Sequence, residues 1–129
     1  MAETIVSRVG EAIAQYPQAL GHVAGVADAL VNGTIQVAIV GAASDPRHLA
    51  LVNRVSSSFV PALILAGGSP VEDGQPALLR HRQALAGIPT AFVCRGFTCD
   101  LPTADPDELE RQVKQLIGDA FPAPSPGPE

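Results

Sequence analysis

Chemistry in this chain would have to come from two places: the cysteine pair Cys94 and Cys99, and the small-residue loop Gly41-Ala42-Ala43-Ser44-Asp45-Pro46. Cys94 and Cys99 form a C-x4-C pattern, and two thiols at close range can act as a redox centre. On a continuous strand they would lie about 16 Å apart and point to opposite faces. A disulfide needs Cα atoms within about 7 Å, so a bridge requires the chain to fold back at Gly96. The usual redox spacing is C-x-x-C. The simpler expectation is Cys94 as a small core hydrophobe and Cys99 as a loop thiol. A zinc site needs about four ligands. The cysteines with the scattered His22, His48 and His81 supply no recognisable set, so neither a metal nor a cofactor is expected.

The loop at Gly41 joins an apolar run to a helix start, and helix N-termini favour anions. In a parallel sheet, ligands bind beyond the carboxyl ends of the strands. There Gly41, Ser44 and Asp45 would face Arg95 and Thr98, with Cys94 and Cys99 close by. These residues are the candidate ligand-binding and redox positions. Against them, Asp45 brings negative charge, and neither a P-loop Lys-Ser/Thr nor G-x-G-x-x-G is present. The competing reading has Asp45 and Asp105 capping helices while Arg95 pairs with one of them. Ser56–Ser58 sits in a helical pattern without a G-x-S-x-G elbow. No catalytic residue is assigned, and the chain by itself is not expected to be an enzyme.

Positioning such residues takes a frame. Ile5, Val9, Ala12, Ile13 and Tyr16 share one helical face, and Pro17 ends it. A second helix over Gln18–Val31 carries Leu20, Val23, Ala24, Ala27, Leu30 and Val31, and Asn32-Gly33 closes it. Gly21 and Gly25 each cost that helix about 1 kcal/mol, or else admit a close-packed neighbour. Thr34–Val40, Pro61–Ala66 and Pro89–Arg95 are apolar runs that read as strands covered on both faces. Asp45-Pro46 and Asp105-Pro106 are helix starts, the second with Glu108 placed to complete a capping box. The expected buried faces are Leu49, Val52, Val55 and Phe59, then Leu109, Val113, Leu116 and Ile117, with Glu110 and Lys114 as an exposed i, i+4 pair. Ala77–Ala86 could form a short helix.

Strands alternating with helices predict an α/β fold: a small three-stranded parallel sheet in order 2-1-3 with flanking helices, the two N-terminal helices forming an α-hairpin. The domain is expected over 1–119, with 1–32 as the hairpin and 33–119 as the sheet region. The Pro-rich tail, 120–129, is expected to be disordered. Because three strands cannot hide every apolar stripe, the faces of the first two helices are expected to meet another domain or a second copy of the chain.

The chain has 129 residues, 47% hydrophobic and 16% charged, with net charge −5. That is one core's worth of chain. The 8 basic residues are scattered, the densest spot being Arg80 and Arg82 around His81, so a nucleic-acid surface is not expected. No run reaches the 18 or so apolar residues of a membrane span, so no membrane association is expected. Two cysteines are too few for a secreted disulfide scaffold, and a cytosolic location is expected.

Thr34–Pro46 followed by Phe59-Val60-Pro61, and above all the run P-T-A-F-V-C-R-G-F-T-C-D-L-P from Pro89 to Pro102 with Asp105-Pro106-Asp107-Glu108-Leu109, carry a family likeness. They resemble the carboxyl-terminal α/β segment of the thioredoxin-domain-containing family related to spermatogenesis-associated protein 20. The resemblance spans roughly Tyr16 to Leu116. It implies a parent protein with an N-terminal thioredoxin-like domain and an α/α toroid similar to six-hairpin glycosidases, the first two helices here matching the toroid's last hairpin. The family's Cys-x-x-Cys and nearly all of its toroid have no counterpart, so no catalytic role carries over. The implied function is a non-catalytic structural or interaction module. The alternative is a small-ligand (anion or nucleotide) or thiol-redox module at the carboxyl edge of the sheet.

Overall fold

Both Asp-Pro pairs do what their chemistry demands. Asp45 Oδ1 accepts the Arg47 amide at 2.9 Å, and Asp105 Oδ1 accepts the Asp107 amide at 2.9 Å. Each Pro then takes a first-turn position whose N–H would have no partner in any case. In the computed structural model, which describes residues 1–60, 62–69 and 76–120, these starts open α3 (Pro46–Ser56) and α4 (Pro106–Ala120). Before them come α1 (Ala2–Gln15), α2 (Gly21–Asn32) and β1 (Ile35–Val40); β2 (Leu63–Gly68), β3 (Thr90–Arg95) and β4 (Thr98–Cys99) complete the elements.

The four strands form one sheet in the order β2-β1-β3-β4. β1 pairs with β2 in parallel, but β3 runs antiparallel to β1, and β4 antiparallel to β3. This overturns the expected three-stranded parallel sheet. The register gives the reason. Val40 of β1 is level with both Gly68, where β2 ends, and Thr90, where β3 begins. The chain therefore leaves β2 and enters β3 at the same end of the strands, and no crossover helix back to the opposite end is needed. The helix expected over Ala77–Ala86 is only a 3₁₀ turn, Ala77–Leu79. His81 at φ 61° breaks it, and Ala86 at φ 52° with Gly87 at φ 72° makes a tight turn just before β3.

Side chains on successive strand residues alternate between faces. Ile35, Val37, Ile39, Ala91 and Val93 pack against Leu51 and Val55 of α3 and Leu109 and Val113 of α4. On the other face Ala38, Val40 and Leu79 form a smaller cluster that also takes in Leu78, Ala84 and Phe92. β1 is central and nearly all buried, whereas edge strand β2 leaves Ile64 and Leu65 exposed. The buried face of α3 is His48, Leu51 and Val55, not the expected Leu49 and Phe59, which are exposed. Phe59 lies beyond the end of the helix, so helical spacing does not govern it. Arg54 of α3 ties the two helices together through Asp107 and, at 3.6 Å, Glu110, which also holds Lys114 at 2.7 Å. The expected capping box is not made: Glu108 pairs with Arg111, and the Asp105 amide donates to Thr103 Oγ1.

Met1–Thr34 forms a compact unit separate from Ile35–Glu129. Within it α1 and α2 pack together, with Val6, Val9, Ile13, Val23 and Ala24 half-buried. Of the tail placed at 120–129, Ala120 ends α4 and 121–129 lie outside the described residues. No helix among the described residues is long and apolar enough to cross a membrane.

Candidate functional site

Between β3 and β4 only Gly96 and Phe97 intervene, with Arg95 opposite Thr98. Gly96 has φ 61°, as the first position of a type II′ hairpin turn requires, and such turns match the twist of the strands they join. The Asp100 amide donates to the Val93 carbonyl at 2.9 Å, which makes Val93 and Asp100 a hydrogen-bonded pair. Pairs alternate along an antiparallel ladder, so Cys94 and Cys99 fall at the non-hydrogen-bonded position, where side chains come closest. Their Cα atoms are 4.0 Å apart and their sulfurs form a disulfide.

This corrects the expectation of a buried thiol and a separate loop thiol. On one continuous strand the two cysteines would face apart. The reversal at Gly96 turns a separation of five residues into direct cross-strand opposition, on one face of the hairpin.

The two sulfurs sit in different surroundings. Cys94 is 2% exposed, while Cys99 is exposed. A guanidinium nitrogen of Arg82 lies 3.5 Å from Cys94 Sγ. The same guanidinium donates to the Leu78 carbonyl and lies over the Phe92 ring, 5.8 Å from its centroid. Arg82 comes from the stretch between β2 and β3 whose sequence signals are mixed, and nothing local marks it as a partner for sulfur. On the opposite, α4-facing side of the hairpin is a pocket of 230 Å³ lined by Val93, Arg95, Thr98, Cys99, Asp100 and Leu116.

The structure does not bring the sequence-derived ligand residues together. Arg95 and Thr98 lie at the Ile35 end of β1, while Gly41, Ser44 and Asp45 follow Val40 at its other end. A strand of this length holds the two groups about 17 Å apart. The antiparallel course of β3 causes the split, since it carries Arg95 away from the carboxyl end of β1.

Gly41, Asp45 and Arg95 also have structural occupations. A Cβ on Gly41 would lie 2.8 Å from Pro89 Cα, so tight packing explains the missing side chain without a phosphate. Asp45 accepts from the Arg47 amide and from two guanidinium nitrogens at 3.0 and 2.7 Å, and these bonds hold its carboxyl below the usual carboxylate value. Ser44 is exposed. Arg95 donates to the Leu116 carbonyl at 3.3 Å, near the end of α4. Among the described residues no three His, Cys, Asp or Glu side chains gather where a metal could be held. His48 Nδ1 and Gln112 Oε1 are buried without a hydrogen-bond partner. The His48 imidazole lies against Gly67, where a Cβ would come within 3.0 Å of Nε2.

No family model, no curated protein and no solved structure matches this chain.

Proposed function

We propose that this chain is a non-catalytic α/β interaction module whose contact surface is the apolar face of the N-terminal helical hairpin. One observation carries the reading: neither α1 nor α2 buries a single residue, and Ile5, Tyr16, Val26, Leu30 and Val31 stand exposed. Exposed apolar side chains gathered on one unit mark an association surface. Gly21 and Gly25, one turn apart on α2, have no neighbour within 4 Å of where a Cβ would be, which leaves room for another backbone to approach.

The occupant we assign is a second copy of the chain, because a two-fold interface lets one such face cover itself. The resemblance to the carboxyl-terminal segment of thioredoxin-domain proteins supports the module reading, and a cytosolic location belongs to the same proposal. Sedimentation equilibrium on the full chain tests it. The expected result is a concentration-dependent dimer that Leu30→Glu with Val31→Glu converts to monomer. A strict monomer at high concentration overturns the reading.

A further inference from the structure

We propose that the Cys94–Cys99 bridge is a thiol–disulfide exchange centre in which Cys99 is the sulfur attacked and Cys94 departs as a thiolate stabilised by Arg82. The inference stands apart from the interaction surface, which lies in the other unit of the chain. It rests on the asymmetry of the bridge. Cys94 is 2% exposed, whereas Cys99 is exposed.

The step balances with a dithiol as co-reactant. Its thiolate attacks Cys99 Sγ; a bond forms between the incoming sulfur and Cys99, the Cys94–Cys99 bond breaks, and its electron pair leaves on Cys94. The second thiol of the dithiol, having given its proton to water, then attacks the first dithiol sulfur and expels Cys99 as a thiolate. The dithiol becomes a disulfide, the bridge becomes two thiols, and the two protons released by the dithiol are regained by Cys94 and Cys99 through water. Two electrons pass in all.

Arg82 decides the direction of this chemistry. A thiolate buried among apolar groups is disfavoured, and a neighbouring cation reverses that. Guanidinium stays charged throughout the accessible pH range. Here it is held at 3.5 Å from Cys94 Sγ by a carbonyl on one side and an aromatic face on the other. Exchange is faster when the leaving thiol has the lower pKa, so the position of Arg82 at the buried sulfur, not the exposed one, favours attack at Cys99.

Two measurements on the full chain test the assignment. In the first, the oxidised protein is exposed briefly to reduced glutathione, quenched with a maleimide and mapped by peptide mass. The expected product carries glutathione on Cys99 and maleimide on Cys94; glutathione on Cys94, or equally on both, overturns the proposal. In the second, the bridge is equilibrated in buffers of reduced and oxidised dithiothreitol. Arg82→Gln should need a roughly tenfold more reducing ratio for half-reduction, about 30 mV for this two-electron couple, while Arg82→Lys stays near the unaltered chain. No change in Arg82→Gln overturns it. Should Arg82→Gln fail to fold, as judged by circular dichroism, the mapping on the unaltered chain decides alone.

Discussion

Asp45 and Asp105 occupy equivalent positions, and each uses Oδ1 to satisfy the amide two residues on. Replacing either with Ala should cost about 1 kcal/mol, the usual worth of an N-cap, read as a lower urea midpoint with an unchanged slope. Asp45, Glu108 and Glu110 all have folded pKa values below their ordinary 3.8, 4.5 and 4.5, held down chiefly by hydrogen bonds from Arg47, Arg111 and Lys114. A depressed carboxylate contributes stability above its unfolded value and loses it as pH falls through the folded one. Stability should therefore stay level from neutrality to about pH 5 and decline below it. Because these pairs are exposed, the decline should be modest and should shrink in high salt. Urea titrations at stepped pH, at low and high salt, check both points. Ala86 sits at φ 52°, left-handed backbone that alanine rarely adopts, before Gly87 at φ 72°. Type I′ turns prefer Asn-Gly, so Ala86→Asn should raise stability by about 0.5–1 kcal/mol. An unchanged or lower thermal midpoint would count against that turn.

At the level of elements, the hairpin β3–β4 and the helix pair α3–α4 contribute very differently. β4 has two residues and is held by short-range pairing and the disulfide. Closing so small a loop restricts the unfolded chain little, so reduction or Cys99→Ser should lower stability by no more than about 2 kcal/mol. Leu109 is fully buried where α4 meets the sheet, and Leu109→Ala should cost about 2–5 kcal/mol. If thermal melts ranked the two changes the other way, the hairpin would be part of the main core. The helix starts were legible because an N-cap and a proline act within one turn of chain. The buried face of α3 was only half legible: Val55 follows the spacing, but Leu49 and Phe59 gave way to His48 and Leu51. Which neighbours a short helix meets is set by how it crosses the sheet, and its own periodicity does not record that.

For the molecule as a whole, the division into Met1–Thr34 and Ile35–Glu129 follows from where apolar surface is satisfied. The sheet unit closes a core on both faces of β1, while the helical hairpin leaves Ile5, Tyr16, Val26, Leu30 and Val31 exposed. Association through that hairpin should therefore be separable from folding of the sheet. Leu30→Glu with Val31→Glu should abolish the dimer while leaving the urea midpoint of the sheet unit within about 0.5 kcal/mol of its original stability, as surface changes usually do. Loss of the whole cooperative transition would mean that the hairpin is part of the core.

By itself, the amino-acid sequence determined the local elements: three apolar runs as strands, two Asp-Pro helix starts, the amphipathic face of α4, and the paired Glu110 and Lys114. Each depends on spacing within a few residues. A signal for the hairpin was present as well, since Gly96 followed by one residue between two β-prone stretches is the pattern of a type II′ turn. Only the tertiary structure decided the direction of β3, because a strand buried on both faces has the same composition whichever way it runs. That single reversal moved Arg95 and Thr98 away from Gly41 and Asp45. The Gly96 turn closed Cys94 onto Cys99, and the chain between β2 and β3 brought Arg82 to the buried sulfur from a distance in sequence that no local pattern spans.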